Sequence, residues 1–527
     1  MRKTSRLVTL AVTGLALAAP QVVPDLQSVP PTPPPPPAPA EASYREVAIG
    51  GPSVAADATP FAMVGVTWPG SVRGPVRAKV RVERAGQWTE WEALRVEDEH
   101  GPDPAEPEGT RAGTEPLWVG EATGVQATAV DASGTTVADA KVVLIQPGVL
   151  PADADEHSVQ TAEPEATSAP YPMPAMVSRK KWGADERLRS HNGKACAQPK
   201  YTNTVLAAFV HHTADRNDYS RTQVPAMVRS MYTYHVKSRG WCDLGYNFLV
   251  DRFGRVFEGR YGGAQLPVLG AHTGSFNASS FGVALIGNFE KVAPTQAMLE
   301  KTARVIAWKM DANYRSPRSA VVLAGSTLRT VSGHRDTKAT ACPGNLLYSK
   351  LAWLRQRSFV LMGGSVTTPI YRFAQRVGFR NTGHPYWGEH RTKTGWATYF
   401  ATRDVFHSAR TGTHSTVGVF RARYRQLGPD TVLGLPTGEF RNGRVAGTKL
   451  QPFRNGALYW SKAIGTRPVA GLIYRKYVAL GAERSRLGLP VTDMYTVTGG
   501  LRQKYQGGWL TYNQQRGVVD VQYRSVR

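Results

Sequence analysis

The last third of the chain repeats itself, and this repetition limits what it can fold into. Tyr371, Tyr424 and Tyr477 are spaced by 53 residues, and the sequence LGLP occurs at 433–436 and again at 487–490. A fixed period of this kind is typical of arrayed units that bury their apolar faces against one another. We therefore expect residues 361–527 to form a repeat domain, with a degenerate first copy.

The remainder of the chain contains segments that cannot contribute to a core. Residues 1–19 have a basic start, a short apolar run and small residues, which predicts a cleaved secretory signal peptide; an uncleaved membrane anchor is the alternative. The Pro-rich stretch 20–43 and the Pro-, Ala- and acid-rich stretch 147–175 are predicted linkers. Since no later segment could span a bilayer, we expect an exported protein.

The two segments between these linkers and the repeats differ in periodicity. Residues 44–146 show alternating apolar positions such as VRAKVRV, which predicts a small all-β, sandwich-like accessory domain. Residues 176–360 alternate apolar strands such as VLAAFV with amphipathic helices such as QAMLEKTARVIAWKM. The predicted fold class is therefore multidomain: an α/β domain with a mixed central sheet and flanking helices, between a small all-β domain and the repeats.

Charge is distributed unevenly along the chain. Residues 41–175 contain 9 Lys and Arg against 21 Asp and Glu, whereas residues 371–527 contain 25 against 7. A basic C-terminal region indicates a polyanionic partner. An exported protein meets anionic cell-wall polymers first, and no nucleic-acid-binding motif is present, so we expect wall polymers and no nucleic acid.

The cysteine count is odd. Cys196, Cys242 and Cys342 are the three cysteines. An oxidising environment favours pairing, so one thiol is left over. A leftover thiol on an exported protein is a liability unless a metal or another group holds it.

Histidines end two apolar segments. His211 and His212 follow VLAAFV, and His334 follows VSG, with Cys342 eight residues further on. Imidazole and thiolate are typical zinc ligands, and a hydrolytic zinc site uses three protein ligands with one open position. Each residue alone is equally compatible with a polar side chain at the end of a strand.

Several runs resemble the peptidoglycan recognition protein family and, more broadly, the zinc N-acetylmuramoyl-L-alanine amidases. They occur in order over roughly a third of the chain: RKKWGA, FVHHTA, GWCDLGYNFLVDRFGRVFEGR, GAHTGSFN, FGVALIGNF and GHRDTKATACPGN. The resemblance implies Zn²⁺ bound by His211, His334 and Cys342. It also implies a disulfide that reaches the cysteine of GWCD, which suits Cys196 with Cys242.

The resemblance further implies three catalytic positions. Tyr246 would donate a hydrogen bond to the developing oxyanion. Thr340 stands where phage relatives carry a lysine, so it could supply a hydrogen bond but no charge. His272 matches a cleft histidine, with substrate contact or proton shuttling as its expected use and a structural role as the alternative.

The C-terminal repeats resemble LGFP repeats, which are thought to hold exported proteins at the cell wall. The sequence thus predicts a secreted, wall-associated and monomeric zinc amidase that hydrolyses the N-acetylmuramoyl–L-alanine bond of peptidoglycan. Three alternatives stay open at this point: a non-catalytic peptidoglycan-binding protein, a wall-anchored structural protein and, against the export signal, a DNA-binding protein.

Overall fold

The computed structural model describes residues 42–51, 54–96, 111–154, 170–364 and 367–525. The predicted signal peptide and most of both predicted linkers lie outside these residues. No helix within the described ranges is long and apolar enough to cross a bilayer. Two compact units divide the chain, one comprising residues 29–390 with 398–401 and the other containing 391–397 and 402–527.

The N-terminal segment is all-β, as predicted. Its strands are β1 (Ser43–Ala48), β2 (Val54–Pro69), β3 (Arg77–Arg84), β4 (Gln87–Trp88), β5 (Glu92–Leu94), β6 (Arg111–Gly113), β7 (Leu117–Val130) and β8 (Lys141–Gln146). They pair in the order β1-β8-β2-β7-β3-β4, with β5 on β3 and β6 on β2. Ala78, Val80 and Val82 of β3 are buried and the residues between them are not, because successive side chains of a strand point to opposite faces.

A second segment alternates strands and helices, also as predicted. Its elements are α1 (Arg179–Trp182), β9 (Ala207–His212), α2 (Val224–Thr233), β10 (Phe248–Val250), β11 (Val256–Glu258), β12 (Ser280–Leu285), α3 (Gln296–Ala312), β13 (Ala320–Leu323), β14 (Ser326–Arg329), β15 (Val331–Gly333), α4 (Asn345–Tyr348) and α5 (Leu351–Leu361). Five strands form a mixed sheet in the order β11-β10-β12-β9-β15, in which only the edge pair β10-β11 is antiparallel.

Helices cover both faces of this sheet. Val210 and Val283 are buried in the core that contains the apolar residues of α3 and α5. Ala284, next to Val283 on β12, is buried instead with the residues of α2. The long helix α3 begins where the Thr295 hydroxyl, as N-cap, accepts a hydrogen bond from the backbone N–H of Met298.

The parallel register fixes the residues at the carboxyl ends of the strands. Ala284 of β12 is the register partner of His211, and Gly333 of β15 is the partner of Val210. His334 follows Gly333 directly, so His211 and His334 lie side by side where their strands end. A rigid sheet therefore presents two of the predicted ligands together.

The C-terminal segment consists of repeated helix–sheet units. Its elements are α6 (Pro369–Val377), α7 (Phe379–Thr382), β16 (Pro385–Arg391), β17 (Trp396–Phe400), β18 (Arg403–Ser408), β19 (Gly412–Val417), α8 (Gly418–Gln426), β20 (Arg441–Asn442), β21 (Thr448–Phe453), β22 (Gly456–Ser461), β23 (Gly465–Ala470), α9 (Gly471–Ala479), β24 (Tyr495–Val497), β25 (Gly500–Tyr505), β26 (Gly508–Asn513) and β27 (Val518–Tyr523). The strands form three sheets of four.

The same hydrogen bond is made within the second unit and again within the third. The Tyr424 hydroxyl donates to the carbonyl of Gly434, and the Tyr477 hydroxyl donates to the carbonyl of Gly488, both at 2.7 Å. These glycines belong to the two LGLP sequences, whose leucines are buried. The 53-residue period read from the sequence is thus a period of packing contacts.

Candidate functional site

Three side chains with metal-ligand chemistry converge at the carboxyl edge of the mixed sheet. His211 ends β9, His334 follows β15, and Cys342 lies in the loop before α4. One ligand atom from each lies within 4.8 Å of the others, and all three residues are buried. The Sγ atom of Cys342 is 3.7 Å from Nδ1 of His211, and the two imidazole centroids are 4.8 Å apart.

This donor set fits a zinc ion. Zinc–nitrogen bonds of about 2.1 Å and zinc–sulfur bonds of about 2.3 Å at tetrahedral angles separate a nitrogen from a sulfur ligand by about 3.6 Å. The observed distance of 3.7 Å between Sγ of Cys342 and Nδ1 of His211 agrees with this value. The thiol is outside the disulfide of the chain, and its sulfur accepts a hydrogen bond of 3.5 Å from the backbone N–H of His212, which favours the thiolate.

The two neighbouring histidines of β9 have different surroundings. His211 faces Tyr246, with ring centroids 5.4 Å apart, on the side of the sheet that α2 covers. His212 accepts a hydrogen bond from the backbone N–H of Phe289 at 3.3 Å. The period of two along a strand separates them, so only His211 joins the cluster.

His272 lies behind His211. Its Nδ1 atom is 3.1 Å from Nε2 of His211, and its side chain is fully buried. Gly282 of β12 leaves room for the His272 ring, because a Cβ at this position would lie 2.7 Å from the ring. Its backbone N–H donates to the side-chain carbonyl of Asn277 at 2.9 Å, which holds the loop in place. The structure therefore puts His272 against the outer nitrogen of a candidate ligand.

Tyr246 and Thr340 contact different members of the cluster. Tyr246 is buried next to His211 and is 6.1 Å from the His235 ring, centroid to centroid. The Thr340 hydroxyl accepts a hydrogen bond of 3.2 Å from the backbone N–H of Cys342. Thr340 thus shapes the loop that carries the thiol.

Two further residues around the cluster were not identified from the sequence. Asp336 accepts hydrogen bonds from the N–H of Gly333 at 2.9 Å and from the hydroxyl of Tyr348 at 2.5 Å, which fixes the turn that carries His334. Asp215 is buried just after HHTA, and burial raises the pKa of its carboxyl to about 7. The GHRD and HHTAD sequences contain both residues, but their contacts depend on tertiary structure.

The disulfide lies on the N-terminal flank of this domain. Cys196 and Cys242 are joined, with Cα atoms 4.7 Å apart. The next residue, Asp243, forms a buried ion pair with Arg179 at 3.0 Å. Together these contacts tie residues 179–196 to the segment that leads to Tyr246.

Comparison with known proteins gives three consecutive matches. Residues 23–189 match the family described as Rv3811 N-terminal galactose-binding domain-like. Residues 201–345 match the N-acetylmuramoyl-L-alanine amidase family, and residues 433–485 match the LGFP repeat. The middle match contains all three residues of the cluster.

Individual relatives match the middle segment. Peptidoglycan recognition protein 1 of Bos taurus is 33% identical over 175 residues, which are 33% of this chain and 80% of that protein. The chain belongs to the peptidoglycan recognition protein family. The N-acetylmuramoyl-L-alanine amidase of Homo sapiens is 34% identical over 198 residues, 36% of this chain and 30% of that protein. The structure of Drosophila PGRP-LB wild-type is 26% identical and covers 34% of this chain and 92% of that chain, with a TM-score of 0.27.

The fold and the family agree with each other. A galactose-binding-like domain precedes the amidase domain, and LGFP repeats follow it. Members of this family and the matched amidase family support hydrolysis or binding of peptidoglycan. The LGFP repeats support association with the cell wall.

Proposed function

We propose that the protein is a secreted, zinc-dependent N-acetylmuramoyl-L-alanine amidase that hydrolyses the amide between the lactyl group of N-acetylmuramic acid and L-alanine. The observation that carries this proposal is the convergence of His211, His334 and Cys342 at one edge of the sheet. Two neutral imidazoles and one thiolate form a hydrolytic donor set with room for a fourth ligand. A cluster with only a packing role would not require three ligand atoms at these distances.

The chain's own residues would divide the work as follows. His211 and His334 bind through ring nitrogens, and Cys342 binds as the thiolate. Zinc bound there would supply a Lewis acid and would bring the pKa of a bound water to about 7. Nε2–H of His211 donates a hydrogen bond to Nδ1 of His272, so that Nδ1 of His211 is left to bind the metal.

Tyr246 stabilises the transition state in this proposal. Its hydroxyl donates a hydrogen bond to the amide oxygen as negative charge develops there. Thr340 keeps Cys342 in position through the hydrogen bond to its backbone N–H. Cleavage of the C–N bond adds one water, which leaves a carboxylate on the lactyl group and a free amino group on L-alanine.

The other segments deliver and retain the enzyme. We propose a signal peptide at 1–19, linkers at 20–43 and 147–175, an accessory domain at 44–146, the amidase domain at 176–360 and the wall-attachment repeats at 361–527. Exposed cations of the repeats, among them Arg454 and Lys462, suit anionic wall polymers. Retention on an insoluble substrate raises the local substrate concentration without changing the chemistry.

Mass analysis of the products tests the hydrolysis. Purified full-length protein is incubated with a defined muropeptide, with and without a zinc chelator. We expect free stem peptide with an intact N-terminal L-alanine, and no product in the presence of the chelator. The variant His211→Ala should release no peptide, whereas His191→Ala, which removes an exposed histidine outside the cluster, should match the wild type. Tight binding of the muropeptide without any product would support recognition alone.

A further inference from the structure

The N-terminal β domain and the amidase domain share one apolar core. Met63 of β2, Trp118 of β7 and Val143 of β8 are buried in the same cluster as Met227 and Met231 of α2. A linker between independent domains would leave these faces separate. Instead, the face of α2 that points away from the mixed sheet is covered by the β domain.

Backbone contacts extend this interface to the residues after α2. The Tyr234 hydroxyl donates to the carbonyl of Thr114 at 2.8 Å. Its ring fits against glycines of β2 and β6: a Cβ at Gly65 would lie 2.5 Å from the ring, and a Cβ at Gly113 would lie 3.0 Å from the hydroxyl. Two positions of the β domain therefore need to be glycine for this tyrosine to dock.

A guanidinium continues the same line of contacts. Nε of Arg239 donates to the carbonyl of Arg111 at 2.8 Å, and Arg239 is 4% exposed. Arg239 and Tyr234 bracket His235, whose ring is near that of Tyr246. The β domain thus lies against the segment that flanks the candidate oxyanion donor.

A second set of contacts reaches the end of β9. Nη1 of Arg95 is 3.3 Å from Nε2 of His212, the residue next to His211. The backbone N–H of Trp118 donates to the Asp215 carboxylate at 2.8 Å. The β domain therefore contacts the amidase domain both at α2 and at the end of β9.

The expected substrate is too large for such an enclosed site. The scissile amide joins a glycan strand to a stem peptide, so the polymer must extend from the site in two directions. In this structure, however, His211, His334 and Tyr246 are each no more than 2% exposed. The β domain packs next to this region, on α2 and at the end of β9.

We propose that residues 42–146 are an intramolecular cover of the candidate site, and that peptidoglycan reaches the site when this domain moves off α2. The substrate in this inference rests on the proposed function, whereas the cover itself rests on the contacts. The chain would then be held in a closed form until wall polymer, or another event at the wall, displaces the cover.

A buried ion pair, here called the latch, holds the segment that directly follows the cover against α2. Arg229 of α2 contacts both carboxylate oxygens of Asp153, at 2.8 and 2.6 Å, and the two side chains are 5% and 7% exposed. The same guanidinium donates to the carbonyl of Gly148 at 2.9 Å. Breaking one partner of a buried pair is strongly unfavourable, so this contact should set how readily the cover opens.

The reactivity of Cys342 provides a test that does not depend on hydrolysis. It is the one cysteine outside the disulfide, and it belongs to the cluster. The rate of its alkylation by a maleimide is measured in metal-free, full-length protein, well below the unfolding temperature. We compare the wild type with Asp153→Asn, which breaks the latch, and with Trp118→Ala, which removes packing at the interface.

If the β domain covers the site, both variants should increase the alkylation rate by about ten-fold or more, because the open form becomes more populated. The control Val80→Ala truncates a buried residue in a separate core cluster of the β domain, which contains no residue of α2. It should leave the rate within about two-fold of the wild type. Equal alkylation rates in the wild type and both interface variants would overturn the cover.

Turnover of a soluble muropeptide, measured on the same zinc-loaded proteins, separates the two proposals. Faster alkylation together with faster hydrolysis supports both. Faster alkylation without hydrolysis in any variant retains the cover and refutes the amidase. Unchanged alkylation with full hydrolysis in the wild type refutes the cover and retains the amidase.

Discussion

The mixed sheet of the amidase domain and the C-terminal repeats use polar residues in opposite ways. The sheet gathers histidines, a cysteine and a tyrosine at one edge and buries them. In the repeats, by contrast, tyrosine hydroxyls hold the LGLP turns, and cations such as Arg454, Lys462 and Arg475 are exposed. In the function that we propose, the chemistry takes place at one buried point in the first region, whereas adhesion is spread over a surface in the second.

The largest effect that separates the two regions is expected at Tyr246. Tyr246→Phe removes one hydroxyl and keeps the ring that packs near His211. Loss of one oxyanion donor should lower kcat by about 10²–10³-fold, and zinc content should not change. The measurement is muropeptide turnover together with metal analysis. Turnover at the wild-type level would assign Tyr246 to packing alone.

The second prediction concerns the pH dependence of stability. Burial, with a smaller contribution from Glu92 and Glu115, raises the pKa of Asp215 from 3.8 to about 7. Between these values the folded protein binds more protons than the unfolded chain, so Asp215 should make stability fall as pH rises from about 4 to about 7. The slope from this group is at most about 1.4 kcal/mol per pH unit.

Denaturant unfolding across this pH range measures the slope. Asp215→Asn should remove the contribution of this carboxyl and flatten the curve. Asp218→Asn is the matched control, because Asp218 is exposed and its pKa is lowered by Arg216. A slope that is the same in the wild type and in Asp215→Asn would refute the assignment.

A smaller effect is expected when the surface of the repeats loses charge. The triple variant Arg454→Gln, Lys462→Gln and Arg475→Gln should weaken retention on purified wall by about ten-fold at low salt, which corresponds to about 1.4 kcal/mol. Salt should reduce the difference, since exposed charges are screened. Turnover of soluble muropeptide should stay the same. Wild-type retention by this variant at low salt would remove the basis for electrostatic adhesion.

The smallest effect tests whether the repeats are equivalent. Tyr477→Phe removes one hydrogen bond to an LGLP glycine. Tyr424→Phe removes the equivalent bond and also the one that its hydroxyl accepts from the backbone N–H of Asp430. Each lost bond should lower the free energy of unfolding by about 1 kcal/mol. Thermal unfolding of the two variants gives the comparison. Costs that differ by more than about 2 kcal/mol would mean that the two units are held together differently.

The sequence predicted those features that are encoded locally. The alternation in β3, the amphipathic helix α3 and the period of the repeats each follow from residue spacing, and the structure agrees. The family resemblance also indicated that His211, rather than His212, would join His334 and Cys342. The structure brings those three side chains together.

Features that depend on tertiary contacts were not predictable in this way. Nothing in GAHTG says that His272 would lie against Nε2 of His211, because that contact needs the close approach at Gly282. The accessory domain was predicted as a separate unit joined to the α/β domain by a linker, yet Trp118 shares a core with α2. Apolar periodicity shows which face of an element is buried, but it does not show which domain covers that face.

Metal stoichiometry tests the central claim most directly. Full-length protein purified without added metal, and its Cys342→Ala variant, are analysed for zinc by mass spectrometry, with circular dichroism to check that both are folded. We predict about one zinc per chain in the wild type and none in the folded variant, since two imidazoles alone bind the ion far more weakly. An equal zinc content in both proteins, or no zinc in a wild type that hydrolyses muropeptide, would contradict the account.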